Sequence, residues 1–171
     1  VATFCHLVNA QKPQRKSIVV TLGATRSSID DVRFIQNYSS GTTGFAVAND
    51  LYRHGHDVTC VAGITTATQP EWLPLVIRAP EPKQMLAELK ALSNDRIDAW
   101  IHAAAVLDYV VDSPAEGKIA SQQGGLDVKL VESEKHIMAL KEPCKDAVRI
   151  GFKLESGIKQ KDLIYRATAQ I

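Results

Sequence analysis

Between Ser17 and Tyr52 the chain runs from the apolar and β-branched stretch SIVVTL, through Gly23 and ATR, to the loop NYSSGTTG (Asn37 to Gly44) and an amphipathic stretch of helical period. No other feature restricts the fold as much. A strand apolar at successive positions needs cover on both faces, which calls for a parallel sheet between layers of helices. Gly23 permits the sharp turn by which such a strand leaves its sheet. Ser39, Ser40, Gly41 and Gly44 stand where the next helix begins, and its unpaired N–H groups and small side chains would admit a nucleotide phosphate. The same residues would equally make a helix cap, with Ser39 or Ser40 as the capping hydroxyl and Gly44 allowing close packing on the strand. Gly41 and Gly44 match the last two glycines of a dinucleotide fingerprint, whereas its first glycine has no counterpart. No GK[ST] sequence occurs, so a P-loop is excluded.

Further along, the pattern alternates. DVTCVAG (Asp57 to Gly63) and LPLVIRA (Leu73 to Ala79) read as strands, and Pro82 to Ser93 as a helix with Met85, Leu89 and Leu92 on one stripe. AWIHAAAV (Ala99 to Val106) is a fourth apolar strand. LDVKLVE (Leu126 to Glu132) is expected as a half-exposed strand, Lys135 to Leu140 as a short helix and VRIGFK (Val148 to Lys153) as another buried strand. Ile164, Ala167 and Ile171 fall on one helical face of the tail. The expected fold class is α/β, a doubly wound, mostly parallel sheet in a Rossmann-like three-layer sandwich, with ligands at the carboxyl ends of the strands. Residues 1–16, ending in QKPQRK, read as a linker or N-terminal arm, and 17–171 as the nucleotide-binding domain. The start at Val1 suggests a fragment.

Composition narrows the partners. In 171 residues, 20 basic and 19 acidic side chains leave a net charge of +1, which gives no general drive toward nucleic acid or a membrane surface. Aromatic residues at 6% are poor material for base-stacking platforms. Cys5, Cys60 and Cys144 are odd in number and widely spaced, and no histidine has a partner at metal-ligand spacing, so neither a disulfide framework nor a protein metal site is expected. A reducing cytoplasm fits this usage, and no apolar run reaches the ~20 residues of a membrane span. The end of the second strand, CVAGITTAT, lacks the acidic residue that a dinucleotide dehydrogenase uses for the ribose hydroxyls, which disfavours an NAD(P)-binding reductase. A non-catalytic nucleotide-binding module stays open as the other alternative.

Taken together, five segments resemble one family. TLGATRSSID (Thr21 to Asp30), VRFIQNYSSGTTGFAVA (Val32 to Ala48), AAAVLDY (Ala103 to Tyr109), GKI (Gly117 to Ile119) and IGFKLES (Ile150 to Ser156) are similar, in order, to the motifs of phosphopantothenate-cysteine ligase, the ligase domain of the coenzyme A pathway's bifunctional flavoprotein. The resemblance implies that 4′-phosphopantothenate attacks a nucleoside triphosphate to give an acyl-nucleotide and pyrophosphate. L-cysteine then displaces the nucleotide. It implies CTP as co-substrate, with ATP possible, and Mg²⁺, a homodimer, a flavin-dependent decarboxylase domain upstream and no flavin in this domain. It further implies C-terminal strands beyond Ile171.

For the site, the resemblance implies Lys118 as a charge on the triphosphate, Asn37 as the amide of the second half-reaction, and Arg33 as a partner for carboxylate or phosphate. Gly23, Ser39, Ser40, Gly41 and Gly44 would line the phosphates. Ala103, Ala104, Asp108, Ser133 and Phe152 would line the nucleotide. Ser133 lies in a segment, Glu132 to Lys135, that lacks the family's usual Asn or Thr before Pro. On residue type alone, Lys118 reads as a solvated lysine, Asn37 as a turn former, Arg33 as an exposed ion-pairing residue, Asp108 as a cap and Phe152 as core.

Overall fold

A computed structural model describes residues 1–121 and 124–169. Its elements are α1 (Ala2–Asn9), β1 (Ser17–Leu22), β2 (Arg26–Ser28), β3 (Phe34–Gln36), α2 (Thr42–Arg53), β4 (Asp57–Ala62), β5 (Leu75–Arg78), α3 (Pro82–Leu92), β6 (Ala99–His102), β7 (Tyr109–Val111), β8 (Leu130–Glu132), α4 (His136–Ala139), β9 (Val148–Gly151) and α5 (Gln160–Thr168). Five strands form one sheet in the order β5-β4-β1-β6-β9, and each neighbouring pair is parallel. β1 is central because every one of its apolar positions has somewhere to go. Ile18, Val20 and Leu22 pack with Phe45, Ala48 and Tyr52 of α2 on one face. Val19 packs with Met85 and Leu89 of α3 and with Trp100, Leu140 and Cys144 on the other. The result is the expected three-layer α/β sandwich, with two cores divided by the sheet.

Several expectations change in detail. The first sixteen residues contain α1, which docks on α2: the His6 ring stacks on Tyr52 with centroids 4.0 Å apart, and Asn9 Nδ2 donates to the Arg53 carbonyl at 2.8 Å. The strand expected to run from Ala99 to Val106 leaves its ladder after His102, because the next residues turn to bond the end of β1. The Leu126 to Glu132 strand contracts to β8, which pairs antiparallel with β7 in a separate two-stranded sheet. β9 is not buried, since it is the edge of the sheet with β6 as its one partner, and Val148 is 61% and Ile150 44% exposed. α5 buries none of its described residues, so Ile164 and Ala167 face no core, and Ile171 lies outside the described residues. No helix among the described residues is long and apolar enough to cross a membrane.

Candidate active site

The carboxyl ends of β4, β1 and β6 are laced together by the backbone that leaves them. Gly23, at φ 79°, turns the chain where a Cβ would stand 2.5 Å from the Ile64 carbonyl oxygen. Ala24 and Ile64 then exchange N–H···O bonds of 2.9 and 2.7 Å, while Ala105 N–H donates to the Gly23 carbonyl at 2.8 Å. On this platform sits the start of α2. Gly41, at φ 83°, is its cap, and the preceding Ser40 carbonyl accepts from Thr66 and Ala67 N–H at 3.1 and 3.0 Å. A Cβ on Gly44 would collide with Leu22 Cβ, so this glycine sets the helix directly on β1. Ser40 Oγ accepts from Thr42 N–H at 3.3 Å, but the residue at the cap is Gly41 and no side chain caps the helix, so neither Ser39 nor Ser40 is the expected capping hydroxyl. Ser39 is half-buried beside them.

Asn37 joins this loop to the end of β6. Its Nδ2 donates to the carbonyls of Val106 at 3.0 Å and Ala105 at 3.3 Å. Two carbonyls facing the amide require its nitrogen there, which leaves Oδ1 as the free end. The segment from Ala103 to Val111 is further held by three hydroxyls to which sequence reasoning gave no role. Thr21 Oγ1 accepts from Ala104 N–H at 3.2 Å, Thr25 Oγ1 from Leu107 N–H at 2.9 Å and Ser27 Oγ from Val111 N–H at 2.9 Å. All three are buried, and a buried hydroxyl in a strand-to-turn passage must find a partner, which is the signal that was there to read.

Lys118 lies on an exposed loop at Gly117 (φ 74°), and its ammonium has no hydrogen bond or ion pair among the described residues. The base of that loop is anchored by Asp30, another residue missed from sequence. The Asp30 carboxylate, its side chain wholly buried, accepts from the backbone of Val32 at 2.9 Å, Arg33 at 2.7 Å and Ile119 at 3.1 Å. Burial pushes its pKa up, but these bonds and the Arg33 charge outweigh burial and hold it below the usual carboxylate value. Arg33 pairs with Asp30 at 3.2 Å and donates to the Ile119 carbonyl at 2.9 Å. It is thus engaged in seating the lysine loop, with its side chain 36% exposed.

Of the residues expected to line a nucleotide, Asp108 and Ser133 meet through backbone. Ser133 N–H donates to the Asp108 carbonyl at 2.8 Å, and the Asp108 side chain is exposed. Register pairs Gly151 with His102, so Phe152 stands level with Ala103, and at 59% exposure it is not the core residue its type suggests. Beyond it, Lys153 (3.1 Å) and Arg166 (3.3 Å) flank Glu155 and hold its carboxyl below the usual range. A cavity of about 200 Å³ near Arg96, Trp100 and Cys144 lies at the opposite, amino edge of the sheet and involves none of the candidate residues. No group of three metal-ligating side chains comes together among the described residues.

Residues 13–170 match the family described as the DNA/pantothenate metabolism flavoprotein C-terminal domain. The coenzyme A biosynthesis bifunctional protein CoaBC of Thermococcus kodakarensis is 35% identical over 157 residues, 91% of this chain and 38% of that protein. CoaBC of Bacillus subtilis is 33% identical over 144 residues, 82% of this chain and 34% of that protein. The chain therefore spans less than two-fifths of the length of these relatives. In structure it superposes on the DNA/pantothenate metabolism flavoprotein from Streptococcus pneumoniae with a TM-score of 0.81 at 26% identity, covering 91% of this chain and 76% of that one.

Proposed function

Because this chain belongs to the DNA/pantothenate metabolism flavoprotein C-terminal domain family, we propose that it acts in coenzyme A biosynthesis as a phosphopantothenate-cysteine ligase, joining 4′-phosphopantothenate to L-cysteine at the expense of CTP. The observation that carries this reading is the Asn37 bridge to Ala105 and Val106, which ties the loop ahead of α2 to the segment that leaves β6. Triphosphate would lie over the Gly41 turn at the helix start, where N–H groups and small residues favour an anion. Lys118 would close on it as a point charge, its loop seated through Asp30 and Arg33. Asp108, Ala103, Ala104, Ser133 and Phe152 would flank the nucleotide.

In the first half-reaction the pantothenate carboxylate attacks the α-phosphorus, and pyrophosphate leaves with the bridging electron pair. In the second, the cysteine amine attacks the acyl carbon of the acyl-cytidylate, releasing CMP and forming the amide. The Asn37 donors are spent on backbone carbonyls, so its Oδ1 is the group able to accept from that amine and align it. Mg²⁺ would travel with the triphosphate, ligated by phosphate oxygens and water, as it does in many nucleotide-using sites. The exposed Val32, Phe34, Tyr109 and Leu130 around the two small sheets support a homodimer. The bifunctional relatives support a second domain beside this one, which we take to be a decarboxylase upstream, and we place the protein in the cytoplasm.

Two substitutions separate the steps. Lys118→Ala should lose most acyl-nucleotide formation, whereas Asn37→Asp should still release pyrophosphate and stall before the amide, accumulating acyl-cytidylate. Amide formation at the parental rate by the Asn37 variant would remove that residue from its role.

A further inference from the structure

Two imidazoles next to β9, one half-buried and one buried, belong to none of the chemistry above. His102, the last residue of β6, has its Nε2 buried with no partner among the described residues, and His136, at the start of α4, is 6% exposed with Nδ1 likewise unpartnered. Arg149 of β9 joins them by donating from Nη1 to the Ile137 carbonyl at 2.9 Å, tying the edge strand to α4. Gly151 lets that helix come close, since a Cβ there would stand 3.0 Å from Ile137 Cδ1. Among the described residues β9 pairs with β6 alone, in the register from Ala99↔Val148 to His102↔Gly151, and the contact with α4 is its second attachment.

We propose that His102, His136 and Arg149 form a seat that positions β9, and with it Phe152, and that protonating either imidazole unseats β9 while the rest of the sheet stays folded. The groups facing the pair account for the direction. His102 meets His136 from α4 and Arg149 from β9, both of which oppose a positive charge; the burial that dominates opposes it as well, bringing its pKa down to about 4. His136 is lowered chiefly by burial and also by Lys90 of α3, against the opposing pull of the Pro82 carbonyl and Glu134. A ring whose value is lower when seated takes up its proton more readily when released. The seat is therefore at full strength above the ordinary imidazole value of 6.5 and weakens as pH falls from there toward about 4. Charge in this pocket adds to Arg149 with no carboxylate against His102 to offset it.

The consequence for nucleotide binding rests on the reading of Phe152 as a wall of the groove, so the test separates the two. Amide hydrogen exchange of the free protein, corrected for intrinsic rates and compared across pH 7 to 4, should show β9 and α4 opening on the order of a hundredfold more often at the acid end, with β1 and β4 unchanged. His102→Gln and His136→Gln should each flatten part of that rise. Opening spread uniformly over the sheet, or an unaltered rise in both variants, overturns the seat. CTP titrated over the same range reads the wall: affinity should fall in step with β9 exchange, and constant affinity over a loosened β9 overturns the link to Phe152 without restoring the seat's alternatives.

Discussion

At the scale of single residues, the site depends on buried polar side chains that touch no substrate. Thr25 is fully buried, and its hydroxyl is the acceptor for Leu107 N–H. Thr25→Val keeps the shape and removes the acceptor, so it should cost about 1–3 kcal/mol in urea unfolding and lower activity by releasing the Ala103 to Val111 segment. Full stability in that variant would mean the bond is replaced by water. Asp30 plays the corresponding part for the Lys118 loop through its three backbone bonds. These residues show where sequence reading ends. Gly23, Gly41 and Asn37 were legible because their chemistry is local, a turn or a loop amide. Thr21, Thr25 and Ser27 act on backbone some 80 positions away, as Asp30 does through Ile119 besides its local bonds to Val32 and Arg33, and nothing in their own neighbourhood in sequence shows the distant partners.

At the scale of elements, the contact of α2 with β1 sets the geometry of the proposed phosphate cradle. Gly44 brings the helix so close that an added methyl meets both Leu22 Cβ and, at 3.3 Å, Leu22 Cα. Because the obstacle includes backbone, Gly44→Ala should destabilise by about 1–3 kcal/mol and move the Gly41 turn away from Gly23, raising KM for the nucleotide more than it lowers kcat. A fully stable variant with unchanged KM would show that the helix can shift without disturbing the site. Ala99 to Val106 carries strand-like residues, but the bonds of Ala105 to Gly23 and of Leu107 to Thr25 redirect its end out of the ladder, whereas Leu126 to Glu132 is a strand only where β7 pairs with it. Local apolar pattern reports what can be buried, whereas pairing partners decide where a strand stops.

At the scale of the molecule, five parallel strands present their carboxyl ends on one side, and among the described residues β9 is the outer strand, with Val148, Ile150 and Phe152 exposed. The alternation of strands and helices made the three-layer sandwich legible, but it could not reveal that β9 is an edge, because an apolar strand reads alike whether its neighbour is present or absent. The Gly41 turn, the exposed Lys118 and the Asn37 amide are the groups proposed for the ligation, and the central claim is that they serve its two successive steps. The most direct test is pyrophosphate release from CTP, and separately from ATP, with 4′-phosphopantothenate and Mg²⁺, first without and then with L-cysteine. The account predicts release from CTP that requires phosphopantothenate but not cysteine, with CMP and the amide appearing only once cysteine is added. Release that ignores phosphopantothenate, or none from folded protein with either nucleotide, would contradict it.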